Sequence, residues 1–303
     1  MNLKRWRASR ILEKVRAAYV LLKKAGAAWV KDNAPSMGAA LAFYTVFSMA
    51  PVLMVVLMVA GLVFGQKAAE ADFLLQLRGF VGEAAARAIQ GILQSADTSG
   101  LRFFASAVGI GTLILGASGA FVELQDALNK IWKVGPGSEN VWMRAIRERF
   151  LSFVLVLGLG FLLLLSFAVS TALASVNKFI APHLPWPLPW LESVNFLLSL
   201  GMIALLLAMI FKILPDVPVA WGDVWIGAAV ASILLTTGKA LIGLYLARST
   251  VASAYGAASS LVIILTWVYY SAQIILFGAE VTHAYSHQHG SRAARSPVHR
   301  NPR

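Results

Sequence analysis

Between residues 150 and 176 the chain reads FLSFVLVLGLGFLLLLSFAVSTALASV, without a charged side chain. A helix needs about 20 apolar residues to cross the hydrocarbon core of a bilayer, so this stretch alone predicts a membrane span. Comparable apolar runs occur elsewhere in the chain. We therefore predict an all-α, polytopic membrane protein with six transmembrane helices and additional amphipathic interfacial helices. The six predicted spans cover residues 37–64, 103–122, 150–176, 191–211, 224–246 and 257–285.

The composition of the whole chain leads to the same class of protein. Of 303 residues, 58% are apolar and 13% are charged, against about 45–50% and about 25% in soluble domains. A soluble fold could not bury so much apolar surface and still cover itself with charge. Cysteine is absent, which excludes disulfides and thiolate chemistry.

The distribution of basic residues predicts how the chain is oriented. The net charge is +12, and nine basic residues lie in 1–36, five in 123–149 and four in 286–303. These segments alternate with segments poor in basic residues, which is the positive-inside pattern with both termini in the cytoplasm. We expect the basic segments to contact anionic lipid headgroups and expect no nucleic-acid partner.

Three regions follow from these patterns. Residues 1–36 form a basic amphipathic segment, expected to lie as a helix on the cytoplasmic leaflet. Residues 37–285 form the six-helix transmembrane domain, with an amphipathic helix at 67–95 on its outer face. Residues 286–303 form a basic tail that we predict to be disordered and cytoplasmic.

Polar side chains recur along helix faces of three predicted spans and could line a pathway. Such groups are costly in hydrocarbon and normally face the bundle interior or a wet cavity. At the helical rise, Lys239 lies about 10 Å from the outer end of its span and Glu280 near the inner boundary, so we expect no direct pair between them. The alternative is that these groups are solvated at span ends or serve helix packing. The candidate polar pathway comprises Glu123, Asp126, Thr236, Lys239, Gln273 and Glu280.

Other residues are candidates for structural roles. Gly109, Gly116 and Gly119 share one face of the second span and predict close helix packing. Pro51 predicts a kink in the first span, with a gating role as the alternative. We predict no catalytic, cofactor-binding or metal site, because no suitable cluster stands out. The histidines nearest to such a cluster, at positions 283, 287 and 289, are expected to belong to a solvated tail.

Six stretches of the sequence carry a resemblance to a known family. They are MGAALAFYTVFSMAP (37–51), GAFVELQDALNKIW (119–132), LPDVPV (214–219), YGAASSL (255–261), LTWVYY (265–270) and GAE (278–280). Together they resemble the YihY/BrkB family of bacterial inner-membrane proteins. The resemblance covers residues 30–285 approximately, and it implies six membrane helices and a place in the inner membrane. Four residues of the second stretch, Glu123, Asp126, Asn129 and Trp132, match an inner-loop motif of the family, and Tyr255, Gly256 and Glu280 match its final-span motif.

What the resemblance implies about activity leaves several functions open. Family members are linked by name to serum resistance, to export of envelope lipids and to an old ribonuclease label that is regarded as mistaken. Together with the polar faces, this favours a transporter or flippase-like protein for an amphipathic or anionic envelope substrate. The alternative is a non-transporting scaffold or envelope-assembly partner. A ribonuclease would need a metal-binding cluster that these residues do not form, so we expect no enzyme and no cofactor.

Overall fold

A computed structural model describes residues 3–48, 107–134, 189–248 and 259–292, together with six residues between 78 and 90. Every regular element in these ranges is an α-helix, so the predicted all-α class is confirmed for the part of the chain that is described. The helices, in chain order, are α1 (Leu3–Lys31), α2 (34–48), α3 (Ala107–Ile131), α4 (Pro189–Ile213), α5 (Trp221–Arg248) and α6 (Ser259–Gln288).

Three of these helices contain stretches long and apolar enough to cross a membrane. The stretches are Phe196–Ile213 in α4, Trp221–Ile242 in α5 and Leu261–Gln288 in α6. They correspond to the fourth, fifth and sixth predicted spans. The first two predicted spans are described only in part, by α2 and α3, while the third span and Pro51 lie outside the described residues. The number of six crossings therefore stays a prediction.

A turn separates the N-terminal helix from the bundle. α1 ends at Lys31, and Asn33 adopts a φ of 61°, in the left-handed region that asparagine tolerates better than most residues. The Asn33 N–H donates to the Val30 carbonyl at 3.1 Å, which closes the end of the helix. α1 therefore ends at Lys31, and α2 begins at residue 34, directly after the turn.

Helices α4, α5 and α6 build the main core. Phe211 and Leu207 of α4 are buried together with Ala228 of α5 and Leu276 of α6. Along this core α5 and α6 run antiparallel, since the neighbours of Gly227 are at Gly278 and those of the later Gly238 are at the earlier Tyr270.

The N-terminal helix packs on one side and is exposed on the other. Leu21 and Ala25 of α1 are buried against Val281 of α6. Val15 and Tyr19, on the same helix, are 61% and 65% exposed. α1 is thus attached to the bundle by its small buried face, and its apolar exposed residues are available for contact with lipid.

The described chain ends beyond the predicted start of the tail. α6 continues to Gln288, past residue 286, and the side-chain hydroxyl of Ser291 donates to the Asp223 carboxylate at 2.7 Å. The guanidinium of Arg292 donates to the Pro218 carbonyl at 3.1 Å. Residues 291 and 292 therefore contact α5 and the connector between α4 and α5. The apolar periodicity of the sequence does not indicate these polar contacts.

Six residues of the predicted outer-face helix at 67–95 are described, and all of them are helical. Ala86 and Ile89 are buried. Glu83 forms ion pairs with Arg78 at 3.5 Å and with Arg87 at 3.6 Å. The alternation of buried apolar and exposed charged residues is the one that a helix with one packed face requires.

Candidate functional site

Charged and polar residues from three parts of the chain meet near the C-terminal end of α6. We call Asp32, Lys133, Glu280 and His283 the Glu280 cluster. Asp32 lies in the turn between α1 and α2, Lys133 follows the end of α3, and the other two belong to α6. Distant segments are thus brought together at one level of the bundle.

Lys133 and Asp32 form the ion pair of this cluster. The Lys133 ammonium donates to an Asp32 carboxylate oxygen, and the two side chains are 56% and 9% exposed. The Lys133 backbone has a φ of 56°, a left-handed conformation that costs a residue with a side chain about 1–2 kcal/mol. Lys133 adopts this strained conformation at the position from which its side chain reaches Asp32. The ion pair joins the end of α3 to the turn after α1.

Glu280 is the most deeply buried charged residue of the cluster. It is 1% exposed, and neither carboxylate oxygen receives a hydrogen bond from the residues that the structure describes. The Asp32 carboxyl and the Lys133 ammonium are the neighbouring charged groups that interact with it. Because an unsatisfied ionisable group is expensive inside a membrane protein, Glu280 is a candidate functional residue.

His283 lies one turn after Glu280 and packs against aromatic rings. Its ring centroid is 5.2 Å from that of Trp132 and 4.4 Å from that of His287. The guanidinium of Arg292 lies 5.0 Å from the centroid of the Trp132 ring. The expectation of a solvated tail therefore fails for His283, which is half-buried, while His287 and His289 are exposed.

Gln273 extends the polar face of α6 away from the cluster. Its amide nitrogen donates to the carbonyls of Ala34 at 3.5 Å and Pro35 at 3.4 Å, at the start of α2. Its amide oxygen is buried and has no partner within the described ranges. Since Gln273 and Glu280 are seven residues apart, they lie on the same face of α6, two turns from one another.

Two other predicted pathway residues, Thr236 and Lys239, lie on α5. The Thr236 hydroxyl donates to the Ser232 carbonyl of its own helix at 2.8 Å. Lys239 follows Gly238, which contacts Tyr270. This places Lys239 about ten residues, or about 15 Å along α6, from the level of Glu280. The two charges therefore lie at different levels of the bundle.

The predicted pathway residues of α3 lie nearer to solvent than Glu280 does. Glu123 is half-buried and Asp126 is exposed. Burial, followed by the negative charge of Asp126, raises the pKa of the Glu123 carboxyl above its ordinary value.

A second polar network fastens the connector between α4 and α5 to α3. Asp216 accepts hydrogen bonds from the amide of Gln125, at 3.2 Å to each carboxylate oxygen, and from the amide of Asn129 at 2.7 Å. The Asp216 N–H donates to the Asn129 side-chain oxygen at 2.8 Å. This role of Asp216 is not among the predictions from the sequence. The spacing of four residues between Gln125 and Asn129, which puts both on one helix face, is the signal that indicates it.

One of the three predicted packing glycines has described surroundings. A Cβ added at Gly119 of α3 would lie 3.1 Å from the ring of Tyr44 in α2. Gly119 thus lies at a close approach of these two helices. Gly109 and Gly116 belong to α3, but what they face lies outside the described residues.

Removing the cation of the cluster tests the ion pair. Lys133→Met leaves the Asp32 carboxylate buried without its partner. Removing one partner from a fully buried ion pair lowers the free energy of unfolding by about 3–5 kcal/mol. Because Lys133 is partly exposed, we expect a loss of about 1–2 kcal/mol here. We expect a lower thermal unfolding temperature of the full chain in detergent. Adding Asp32→Asn should recover part of the loss. The exposed Lys130→Met is the control, and equal stability of Lys133→Met and Lys130→Met would contradict the ion pair.

Apolar helices with several membrane-length stretches and a buried polar face define a helical integral membrane protein. Within that class, the chain belongs to the family described as Virulence factor BrkB, whose model matches residues 26–302.

Curated relatives carry the name UPF0761 membrane protein. One from Pseudomonas aeruginosa is 30% identical over 256 residues, covering 83% of this chain and 59% of its own length. Relatives from Verminephrobacter eiseniae and Legionella pneumophila are 29% and 30% identical, covering 83% and 88% of this chain and 58% and 62% of their own. The chain thus spans about three fifths of the length of these relatives. No solved structure shows significant similarity to the chain.

Proposed function

We propose that the protein is a transporter or flippase-like protein of the bacterial inner membrane that moves an amphipathic or anionic envelope substrate. The proposal is supported by the polar face of α6, on which Glu280 and Gln273 present buried oxygens without partners in the described part of the chain. A headgroup that crosses an apolar bundle needs polar groups inside it, and ionisable residues at such positions mark substrate or ion pathways.

The charge near the same end of α6 favours an anionic headgroup. Lys133 is exposed, and Arg292 lies over the Trp132 ring. Cationic side chains near the membrane surface attract anionic lipids by about 1 kcal/mol each. A substrate with a phosphate or carboxylate headgroup and an apolar body therefore fits both the cations and the lipid-facing helices.

The proposal includes six crossings with both termini in the cytoplasm. The alternation of basic segments supports this topology. The exposed apolar residues of α1, among them Val15 and Tyr19, support a position of this helix against the inner leaflet.

A non-transporting scaffold is the second candidate, and the packing of α5 favours it. The hydroxyls of Ser232 and Thr236 donate to carbonyls of their own helix. On the predicted polar face of this span, these two hydrogens are therefore used by the backbone of α5. Gly227 and Gly238 are in close contact with α6. Such small-residue contacts are what a fixed assembly of membrane helices uses.

Lipid transfer in vesicles distinguishes the two functions. The full chain is reconstituted with fluorescent phosphatidylglycerol, and the rate at which inner-leaflet probe becomes accessible to a membrane-impermeant quencher is measured. Gln273→Leu is expected to slow transfer by roughly tenfold, the effect of about 1.4 kcal/mol in the barrier. The control is Thr237→Val, an exposed polar residue of α5 at nearly the same level. The scaffold would be favoured by two results together. Lipid transfer in vesicles with the wild type would be no faster than in protein-free vesicles, and a partner would co-purify with the protein at a fixed stoichiometry.

A further inference from the structure

Glu280 and Asp32 lie close enough to interact where α6 passes the turn between α1 and α2. The contacts of Gln273 with the Ala34 and Pro35 carbonyls fix this turn on one side along α6. The packing of Ala25 near Val281 fixes it on the other side. Asp32 lies between Ala25 and Ala34 in the sequence, and Glu280 lies between Gln273 and Val281 on α6.

An ionised Glu280 is poorly supported at this position. With both carboxylates charged, the single Lys133 ammonium would have to balance two negative charges, and it already bonds Asp32. Neither oxygen of Glu280 has a donor among the described residues. Two adjacent carboxyl groups relieve this by sharing one proton, which removes one charge and supplies the missing donor.

The other charged and titratable groups near Glu280 are engaged elsewhere. The rings of His283 and His287 contact one another at a tilt on α6, and Arg292 lies over Trp132. Asp223 of α5 accepts hydrogen bonds from Ser291. Asp216, in the connector between α4 and α5, is held by Gln125 and Asn129. Asp32, from the turn, and Lys133, after α3, are thus the described groups that interact with Glu280, and of these only Lys133 can compensate its charge.

We propose that Glu280 and Asp32 form a proton-binding pair. Glu280 takes up one proton and donates it in a hydrogen bond to Asp32, whose other contact is the Lys133 ammonium. No bond other than the new O–H forms, and no redox partner is involved. In the transporter proposed above, on which this step rests, the pair is the site that couples substrate movement to a proton gradient.

Infrared spectroscopy of the full chain in detergent at pH 7 tests the pair directly. The wild type is expected to show the C=O stretching band of a protonated carboxyl, shifted to lower frequency in D2O. Glu280→Gln should remove one carboxyl equivalent of that band while the protein stays folded, because a glutamine amide can donate to Asp32 as the protonated acid does. Asp32→Asn should move the band to higher frequency, because an amide oxygen is a weaker acceptor than a carboxylate.

The exposed Glu13→Gln, on α1, is the matched control and should leave the band unchanged. A wild type without the band, a band unaffected by Glu280→Gln, or a band that Asp32→Asn does not move would each overturn the pair. The band reports the proton whether or not the protein moves lipid. If lipid transfer is observed but the band is absent, only the proton-binding pair is contradicted. If the band is present but no lipid is transferred, only the proposed function is contradicted.

Discussion

A single methyl group added at Gly227 is expected to destabilise the helix bundle severely. In Gly227→Ala the new Cβ would lie 2.2 Å from the Gly278 carbonyl oxygen, 2.0 Å from the Thr282 hydroxyl and 3.0 Å from the Thr282 nitrogen. Two of these atoms belong to the backbone of α6, so relief requires α5 and α6 to move apart. Overpacking of a core costs about 1–3 kcal/mol and occasionally more, and we expect a loss at the upper end of this range.

The matched control is Gly201→Ala, inside the membrane-length stretch of α4, where an added Cβ meets nothing within 4 Å. Because alanine favours the helix over glycine by about 1 kcal/mol, this control should unfold at an equal or higher temperature than the wild type. Thermal unfolding of the full chain in detergent compares the two. Similar unfolding temperatures for both variants would contradict the close contact between α5 and α6.

The second large effect is expected from Asp216→Ala. The substitution removes the acceptor for the side-chain amides of Gln125 and Asn129. A buried donor left unsatisfied costs about 1–3 kcal/mol. Gln125 is buried and Asn129 is half-buried, so the loss of both bonds is expected to lower the free energy of unfolding by about 2–4 kcal/mol. The connector between α4 and α5 would also lose its attachment to α3.

Asp216→Asn keeps one acceptor oxygen and should fall between the wild type and Asp216→Ala. Denaturant or thermal unfolding of the three proteins, followed by tryptophan fluorescence or circular dichroism, gives the order. An alanine variant as stable as the wild type would show that the network contributes nothing to folding.

The apolar runs of the sequence predict the membrane helices well. The fourth span was predicted at 191–211, and α4 covers Pro189–Ile213. The sixth was predicted at 257–285, and α6 covers Ser259–Gln288. The helices extend past some apolar runs because polar residues such as His287 and Gln288 continue the backbone hydrogen bonding without contributing to hydropathy.

The candidate site could be predicted only in part. Glu280 and Gln273 stand out because they are polar residues within an apolar run. Their partners lie in turns and connectors where polarity is ordinary, and Asp32 and Lys133 meet across 101 positions of sequence. The place of Thr236 in the pathway stays a prediction; periodicity shows which face its hydroxyl occupies but not that the hydroxyl donates to its own helix.

The tight contact between α5 and α6 limits how the protein can change shape. Since the backbone near Gly227 touches that of α6, neither helix can rotate about its axis without the other. If the protein alternates between inward-open and outward-open forms, as proposed, α5 and α6 would therefore move together. The Gln273 amide, which joins α6 to the Ala34 and Pro35 carbonyls, would be a point about which the pair turns.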